Sequence, residues 1–321
     1  MPSFLEHFRR WLGDRPPDGS RNRPDKRFRP AAERLEERTV CTVTYHGGPV
    51  LPDVSVELLF LGSNWSSDPG LSAARQQVVG FFQTITNSPF MDALTRAGYG
   101  VGRGSVLDSW TDPTALSSFV TDQQIQTDLA IDIAAGHLQP PDGNRLYFVF
   151  VEPDAVVVRA DGSNSLNSFW AYHSDFLGPT GANVSYAVLP YLDGSTGTLP
   201  RLTPFETVTK VASHELAEAV TDPFGDNVGV AAWYDGTWRD PSTGQVGGEI
   251  ADIADKVIID LDGYVVQGVA NKHDQALVPA GAALDPRFFH RRPAHRAHRA
   301  AHAEPRPIDP APPGEPPTRE L

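Results

Sequence analysis

The chain has 321 residues, a formal net charge of −13 and a single cysteine. This length suits one large domain or two small ones, and one cysteine excludes an internal disulfide and any metal centre built from cysteines. Acidic residues are concentrated in the middle of the chain, so this part is expected to repel nucleic acids and anionic lipids. No apolar run approaches the ~18 residues of a membrane span.

Composition divides the chain into three parts. Residues 1–41 are basic and contain a stretch rich in Pro, Arg and Asp, which predicts a mostly disordered leader. Residues 42–280 hold the ordered apolar segments, and residues 281–321, rich in Pro, Ala, Arg and His, predict a disordered tail. Histidines interleaved with arginine in this tail are expected to chelate metal only weakly: His290, His295, His298 and His302.

A charged segment at residues 27–40 bears on localisation. Its sequence, RFRPAAERLEERTV, resembles the basic leader at the front of many bacterial surface proteins. The resemblance implies a secreted or cell-surface protein, although the chain shows no continuous apolar core typical of a signal peptide. The alternative is a solvated charged helix.

Apolar periodicity predicts alternating helices and strands in residues 42–280. Helical spacing marks two segments and continuous apolar runs mark buried strands. This alternation predicts an α/β fold, a single layered domain with a mixed central sheet flanked by helices. The expected helices are residues 72–86 and 121–136, and the expected strands are residues 54–61, 146–151, 184–189 and 263–269.

A third helix is expected to begin at Thr203. Thr203 is a typical N-cap, Pro204 suits the first helical position, and Glu206 completes a capping box. The helix is expected to run to about Thr221, because Pro223 cannot continue it.

This helix contains His214-Glu215-Leu216-Ala217-Glu218. Positions four apart share a helix face, so His214 and Glu218 are predicted to bind one divalent metal ion, with zinc preferred. Glu215 directly follows the histidine, where the zinc peptidase motif His-Glu-x-x-His places its general base. The segment is therefore a metallopeptidase-like motif helix, in which Glu215 is expected to accept a proton from water acidified by the metal.

A catalytic zinc site needs a third protein ligand and an open position. The candidates are Asp222, one turn further along the helix, His173, and the pair Glu249 and Asp252 in a polar turn. Glu249 or Asp252 is favoured, since a downstream acid is common in such sites, and Pro223 is expected to distort the backbone at Asp222. His173 is a candidate ligand or a catalytic donor to the substrate.

Two other interpretations remain open. Calcium is less favoured than zinc, because the acidic residues that could bind it lack the spacing of an EF-hand loop: Asp252, Asp255, Asp260 and Asp262. A His-Glu-x-x-Glu string also arises by chance on amphipathic helices, and His214 and the acids would then form a hydrogen-bonded network without metal.

Several motifs in order resemble one known family. The chain is similar to the EXORDIUM-like, phosphate-induced protein family over about residues 45–279. The resemblance rests on Tyr45-His46-Gly47-Gly48-Pro49-Val50, Gly62-Ser63-Asn64-Trp65, Tyr99-Gly100-Val101-Gly102, Leu146–Phe150, Tyr172-His173-Ser174, Ser213–Pro223, Gly248-Glu249-Ile250-Ala251-Asp252 and Tyr264–Gln267.

The resemblance implies two alternative functions. Bacterial-type members carry the His-Glu-x-x-Glu segment and look like metallopeptidases, which implies an exported zinc-dependent hydrolase acting on a peptide or cell-surface substrate. Plant members are extracellular, wall-associated proteins without a firmly assigned activity, which implies a non-enzymatic protein with a structural metal site. Similar bacterial proteins have cysteines at places that correspond here to Ala254 and Leu277, so their disulfide is missing.

Overall fold

The computed structural model describes residues 42–192, 198–225 and 230–288. All of them belong to the unit Val40–Leu321; the other unit of the chain, Met1–Thr39, lies outside the described residues. The expected leader at residues 1–41 and the tail histidines also lie outside them.

The described residues form helices and strands in a mixed α/β arrangement. The helices are α1 (Asn64–Ser67), α2 (Pro69–Ile85), α3 (Pro89–Ala97), α4 (Asp122–Ala135) and α5 (Pro204–Thr221). The strands of the first half are β1 (Thr44–Tyr45), β2 (Ser55–Leu61), β3 (Ser105–Asp112), β4 (Phe119–Thr121), β5 (Arg145–Val151), β6 (Val156–Val158), β7 (Tyr172–Leu177) and β8 (Asn183–Pro190). Those after α5 are β9 (Trp233–Arg239), β10 (Val246–Gly248), β11 (Ile258–Leu261), β12 (Tyr264–Gln267), β13 (Val269–Ala270), β14 (Ala276–Leu277) and β15 (Ala283–Leu284).

A five-stranded sheet in the order β3-β2-β5-β8-β7 forms the centre of the fold. Strands β3, β2, β5 and β8 run parallel, whereas β7 pairs with β8 in the antiparallel direction. The prediction of a mixed sheet is therefore confirmed. Every residue of β5 is buried, as expected for a central strand covered on both faces.

Helices cover the two faces of this sheet. Phe60 and Phe148 belong to the cluster of buried residues that includes α2 and α5. Their neighbours Leu59 and Tyr147 belong to a second cluster with Ile125 of α4. Because successive side chains of a strand point to opposite faces, the sheet lies between α4 on one side and α2 and α5 on the other.

The predicted helices and strands are present with some differences at their ends, except that the segment predicted as one strand at residues 263–269 forms two short strands, β12 and β13, in different sheets. Thr121 caps α4 and Gly136 ends it in the left-handed conformation, which agrees with the helix expected over residues 121–136. Helix α2 begins three residues before the predicted position 72, because the side chain of Asp68 caps its N-terminus. The elements that were not predicted include α3, which is short, and β3, whose polar residues do not alternate clearly with apolar ones.

The folded part extends beyond the predicted boundary at residue 280. Strand β15 pairs with β11, and the Asp285 N–H donates to the carbonyl of Ile258. The prediction of a disordered tail is therefore wrong for residues 281–288, which gain order from these backbone hydrogen bonds. Within the described ranges, no helix is both long enough and apolar enough to cross a membrane.

Candidate metal centre

Helix α5 has the N-terminus that its sequence predicts. The Thr203 hydroxyl accepts a hydrogen bond from the Glu206 N–H, and the Glu206 carboxylate accepts one from the Thr203 N–H. The helix packs against β7, β8 and β12. The carboxylates of Glu215 and Glu218 are consequently buried, which is costly unless they are paired or bind a metal.

Strand β7 brings His173 to this helix. Tyr172 pairs with Val188 and His173 pairs with Ala187. Val188 and Ala187 lie in different core clusters, on opposite faces of the sheet. The Tyr172 hydroxyl donates to Asp122 of α4. His173 therefore faces α5, where its Nδ1 lies 3.3 Å from Oε2 of Glu215.

A cavity of about 440 Å³ connects α5, β7 and the segment after β10. Two histidines and four carboxylates line it, together with the guanidinium of Arg159 and the ring of Tyr234. Six residues singled out from the sequence meet here: His173, His214, Glu215, Glu218, Glu249 and Asp252. Burial raises the pKa of Tyr234, and Glu249 and Asp252 raise it further.

The hydrogen bonds of His214 define which nitrogen faces the cavity. Its Nδ1 lies 3.1 Å from Oε1 of Gln267, whose Nε2 donates to the Ala251 carbonyl. Since that amide oxygen can only accept, Nδ1 carries the proton. Nε2 then points to Glu218 at 3.0 Å and Asp252 at 3.7 Å. A histidine held in this way, with one nitrogen donating to a carbonyl, is typical of metal ligands.

His173 has a similar arrangement. Its Nε2 lies 3.1 Å from the backbone carbonyl of Asp222, which can only accept a hydrogen bond. Nδ1 faces Glu215 at 3.3 Å and Glu218 at 3.9 Å. In the protonated form, both ring nitrogens of His173 donate to oxygen atoms.

Two groups of side chains could hold a metal ion. One is the buried group His173, Glu215 and Glu218, and the other is His214, Glu218 and Asp252. The ligand atoms within each group lie within 4.8 Å of one another, and among the described residues no such group contains both histidines. A zinc ion holds two nitrogens within about 4.2 Å of each other, so in this arrangement the two histidines do not share an ion.

The remaining candidate ligands take different positions. The Asp252 N–H donates to Oε1 of Glu218, whereas Glu249 faces His173, with Oε1 3.5 Å from Nε2. The Asp222 carboxylate belongs to neither group. The helical conformation ends at Asp222, with φ −149° and ψ 77°, which agrees with the distortion expected before Pro223.

Burial of these groups alters their acidity. Burial raises the pKa of Glu249 to about 8 and that of Asp252 to about 6. It raises the pKa of Asp222 to about 6, an effect that nearby backbone N–H groups offset only in part. For His214, burial opposes protonation, but Glu218 and the other carboxylates outweigh it and raise the pKa to about 10.

The same balance applies to the second histidine. Burial lowers the pKa of His173, but Glu249 and Glu215 outweigh that effect and raise it well above its ordinary value. Without a metal, both histidines are therefore cations among carboxylates. A metal ion can replace such a proton, because metal binding and proton release are coupled.

Three contributors to the site carried no clear signal in the sequence. Gln267, at the end of β12, orients His214. The sequence of this segment predicts a strand but gives no sign of a role in the site. The Asp222 backbone carbonyl orients His173. Gly225 leaves room for that ring, since a Cβ at this position would lie 2.4 Å from Nε2 of His173.

Comparisons of the chain with family models, with curated proteins and with solved structures give no match. The resemblance to the EXORDIUM-like family therefore stays a prediction.

Proposed function

We propose that the protein is a zinc-dependent hydrolase of peptides. The observation that carries this proposal is the orientation of His214, whose Nδ1 is committed to Gln267 while Nε2 faces Glu218 and Asp252. These atoms line an open cavity large enough for part of a substrate.

His214, Glu218 and Asp252 would hold the ion. One imidazole nitrogen and two carboxylates are ordinary zinc ligands, and three protein ligands leave a position for water or substrate. When bound, zinc supplies a Lewis acid that polarises a carbonyl and lowers the pKa of water to about 7. Asp252 is preferred to Glu249 as the third ligand, because Glu249 lies beside His173.

Glu215 has the position of a general base. It lies next to His214 in sequence and lines the same cavity without belonging to its ligand group. The protonated His173 donates to Glu215 from Nδ1 and to the Asp222 carbonyl from Nε2. His173 thus holds the carboxylate towards the cavity, where it can accept a proton from the attacking water.

The formal charges favour one ion. Four carboxyl groups line the cavity, and when all four are ionised, one divalent ion, the imidazolium of His173 and the guanidinium of Arg159 together match their charge. Such a balance reduces the cost of burying the carboxylates.

The proposal includes membership of the EXORDIUM-like family and action outside the cell on a peptide or a cell-surface protein. Its support is the set of family-like motifs and the leader-like segment at residues 27–40. This segment lies outside the described residues.

The test is hydrolysis of a mixed peptide library by the purified full chain, with zinc and after chelation. We expect hydrolysis that depends on zinc and falls roughly 10²–10⁴-fold in Glu215→Gln, the range for a lost general base. Zinc content should not change in this variant. Asp108→Asn, an exposed carboxylate outside the site, is the matched control. Equal activity of wild type and Glu215→Gln, or inertness of both, would reject the catalytic role.

A further inference from the structure

A second cavity, of about 260 Å³, adjoins the candidate metal centre. Ala171, His214 and Glu215 line both cavities. The remaining walls are mostly apolar, and we call this cavity the apolar pocket; its further lining residues are Phe169, Trp170, Leu199, Lys210, Val211 and Asp255. A group inside the apolar pocket is therefore a direct neighbour of the proposed general base.

The charged residues of the apolar pocket are paired. Nζ of Lys210 lies 2.6 Å from Oδ1 of Asp255, and the Lys210 side chain is only 10% exposed. Glu215 is held by His173. A charged ligand group would have to break one of these pairs, whereas an apolar group would only replace water at the aromatic and aliphatic walls.

Two aromatic residues form the side of the apolar pocket next to β7. Phe169 packs edge-on against Tyr172, with 5.3 Å between ring centroids, and is thereby fixed in place. Trp170 remains 39% exposed, although large apolar side chains gain free energy from burial. A bound apolar group at this position would bury part of the exposed indole.

The cleft continues along α5 beyond the apolar pocket. A third cavity, of about 360 Å³, shares Leu199, Lys210 and Asp255 with it. Leu202, Ile258 and Phe288 provide further apolar surface there. Three adjoining cavities along one helix suit an extended chain better than a compact small molecule.

We propose that the apolar pocket binds one large apolar side chain, aromatic or branched aliphatic, of a peptide substrate. This inference rests on the proposed function and names the substrate preference of the same site. Because Glu215 lines both cavities, a side chain in the apolar pocket holds the adjoining peptide bond over the candidate metal centre. Such positioning accelerates a reaction by fixing the reacting groups in place.

The first experiment compares peptides that differ in one residue beside the cleaved bond: Phe, Leu, Ala or Asp. We expect kcat/KM to be roughly 10–200-fold higher for Phe or Leu than for Ala, the range for apolar specificity pockets. Trp170→Ala and Leu199→Ala should reduce this ratio, because they remove apolar walls of the apolar pocket and lower kcat/KM for Phe more than for Ala. Leu177→Ala, an apolar residue 70% exposed at the far end of β7, is the matched control.

The second experiment separates this inference from the proposed function. Calorimetry measures the binding of two tetrapeptides with blocked termini, one containing Phe and the other Ala at the same position. The proteins are the zinc-loaded Glu215→Gln variant and the same variant that also carries Trp170→Ala. One outcome would support the apolar pocket and reject the hydrolase. In it, the Phe peptide binds more tightly than the Ala peptide, Trp170→Ala removes this difference, and the wild type hydrolyses neither peptide.

Two other outcomes overturn the inference. Hydrolysis without preference for Phe or Leu would leave the hydrolase standing and reject the apolar pocket. Equal or undetectable binding of the two tetrapeptides would also reject it. Melting temperatures of Trp170→Ala and Leu199→Ala within a few degrees of wild type would show that a lost preference does not reflect unfolding.

Discussion

Nε2 of His214 lies 3.0 Å from Oε2 of Glu218, one turn further along α5. The same oxygen lies 3.9 Å from Nδ1 of His173 on the neighbouring strand. Glu218 therefore belongs to both groups that could hold a metal ion, and the two histidines compete for its carboxylate. Which histidine binds the ion decides whether Glu215 is a base or a ligand.

Removal of each histidine tests this choice. We expect about one zinc per chain to be lost in His214→Ala and retained in His173→Ala, because a site with one imidazole and two carboxylates cannot spare its only nitrogen ligand. Plasma emission spectrometry on the full chain measures the zinc content of each variant. The loss is the difference between the variant and the wild type. His137→Ala is the control, since His137 pairs with Asp132 outside the site. The reverse pattern would place the ion beside Glu215 and make that residue a ligand.

Gln267 is expected to matter for metal affinity although it is not a ligand. It is fully buried and fixes the orientation of His214. Loss of such a partner lowers metal affinity by roughly 10–100-fold, so Gln267→Met should bind zinc this much more weakly in a competition titration. Gln77→Met, on the exposed side of α2, should bind as wild type does. Unchanged affinity in Gln267→Met would show that His214 needs no support from β12.

The stability of the zinc-free protein should fall as the pH rises from about 5 to about 8. The folded-state pKa of Glu249 is raised from 4.5 to about 8 and that of Asp252 from 3.8 to about 6. His214 is raised from 6.5 to about 10, so its contribution is present below 6.5 and is lost as the pH rises towards 10. Across this range the folded chain holds protons that the unfolded chain releases, so the free energy of unfolding decreases with pH.

Thermal unfolding of chelated protein at several pH values measures this dependence. Zinc displaces the same protons, so the stabilisation by zinc should increase with pH. Glu249→Gln is the informative variant, because it removes one titrating carboxyl group and should flatten the profile. A stability that rises from pH ~5 to pH ~8 in the zinc-free wild type would contradict these shifts.

Gly225→Ala should disturb the orientation of His173. An added Cβ would lie 2.4 Å from Nε2 of that ring, so the ring or the loop after Pro223 must move. We expect hydrolysis to fall at least 10-fold, because small displacements of positioning groups are costly in rate, with zinc still bound. At Gly143 an added Cβ meets nothing within 4 Å, so Gly143→Ala serves as the control. Full activity in Gly225→Ala would argue against a positioning role for His173.

The local elements could be read from the sequence because their signals are local. Three such elements depend on residues close together in the chain: the capping box of Thr203 and Glu206, helix α4 and the apolar run of β5. Helical geometry likewise predicts that His214 and Glu218 lie close to each other, because they are four residues apart on one face. Edge strand β3 lacked such a signal, since it is stabilised by pairing with β2, 50 residues away at Ser55↔Ser105.

Only the tertiary structure decided how the distant residues of the site are arranged. The sequence made His173, Glu249 and Asp252 candidates, but the pairing of β7 with β8 placed His173 beside Glu215. The segment after β10 placed Asp252 beside His214 and Glu249 beside His173. The packing of β12 against α5 likewise placed Gln267 beside His214. The sequence by itself determines one helix face with its two ligands, because that spacing is a property of the helix; the remaining partners depend on long-range packing, which no short pattern encodes.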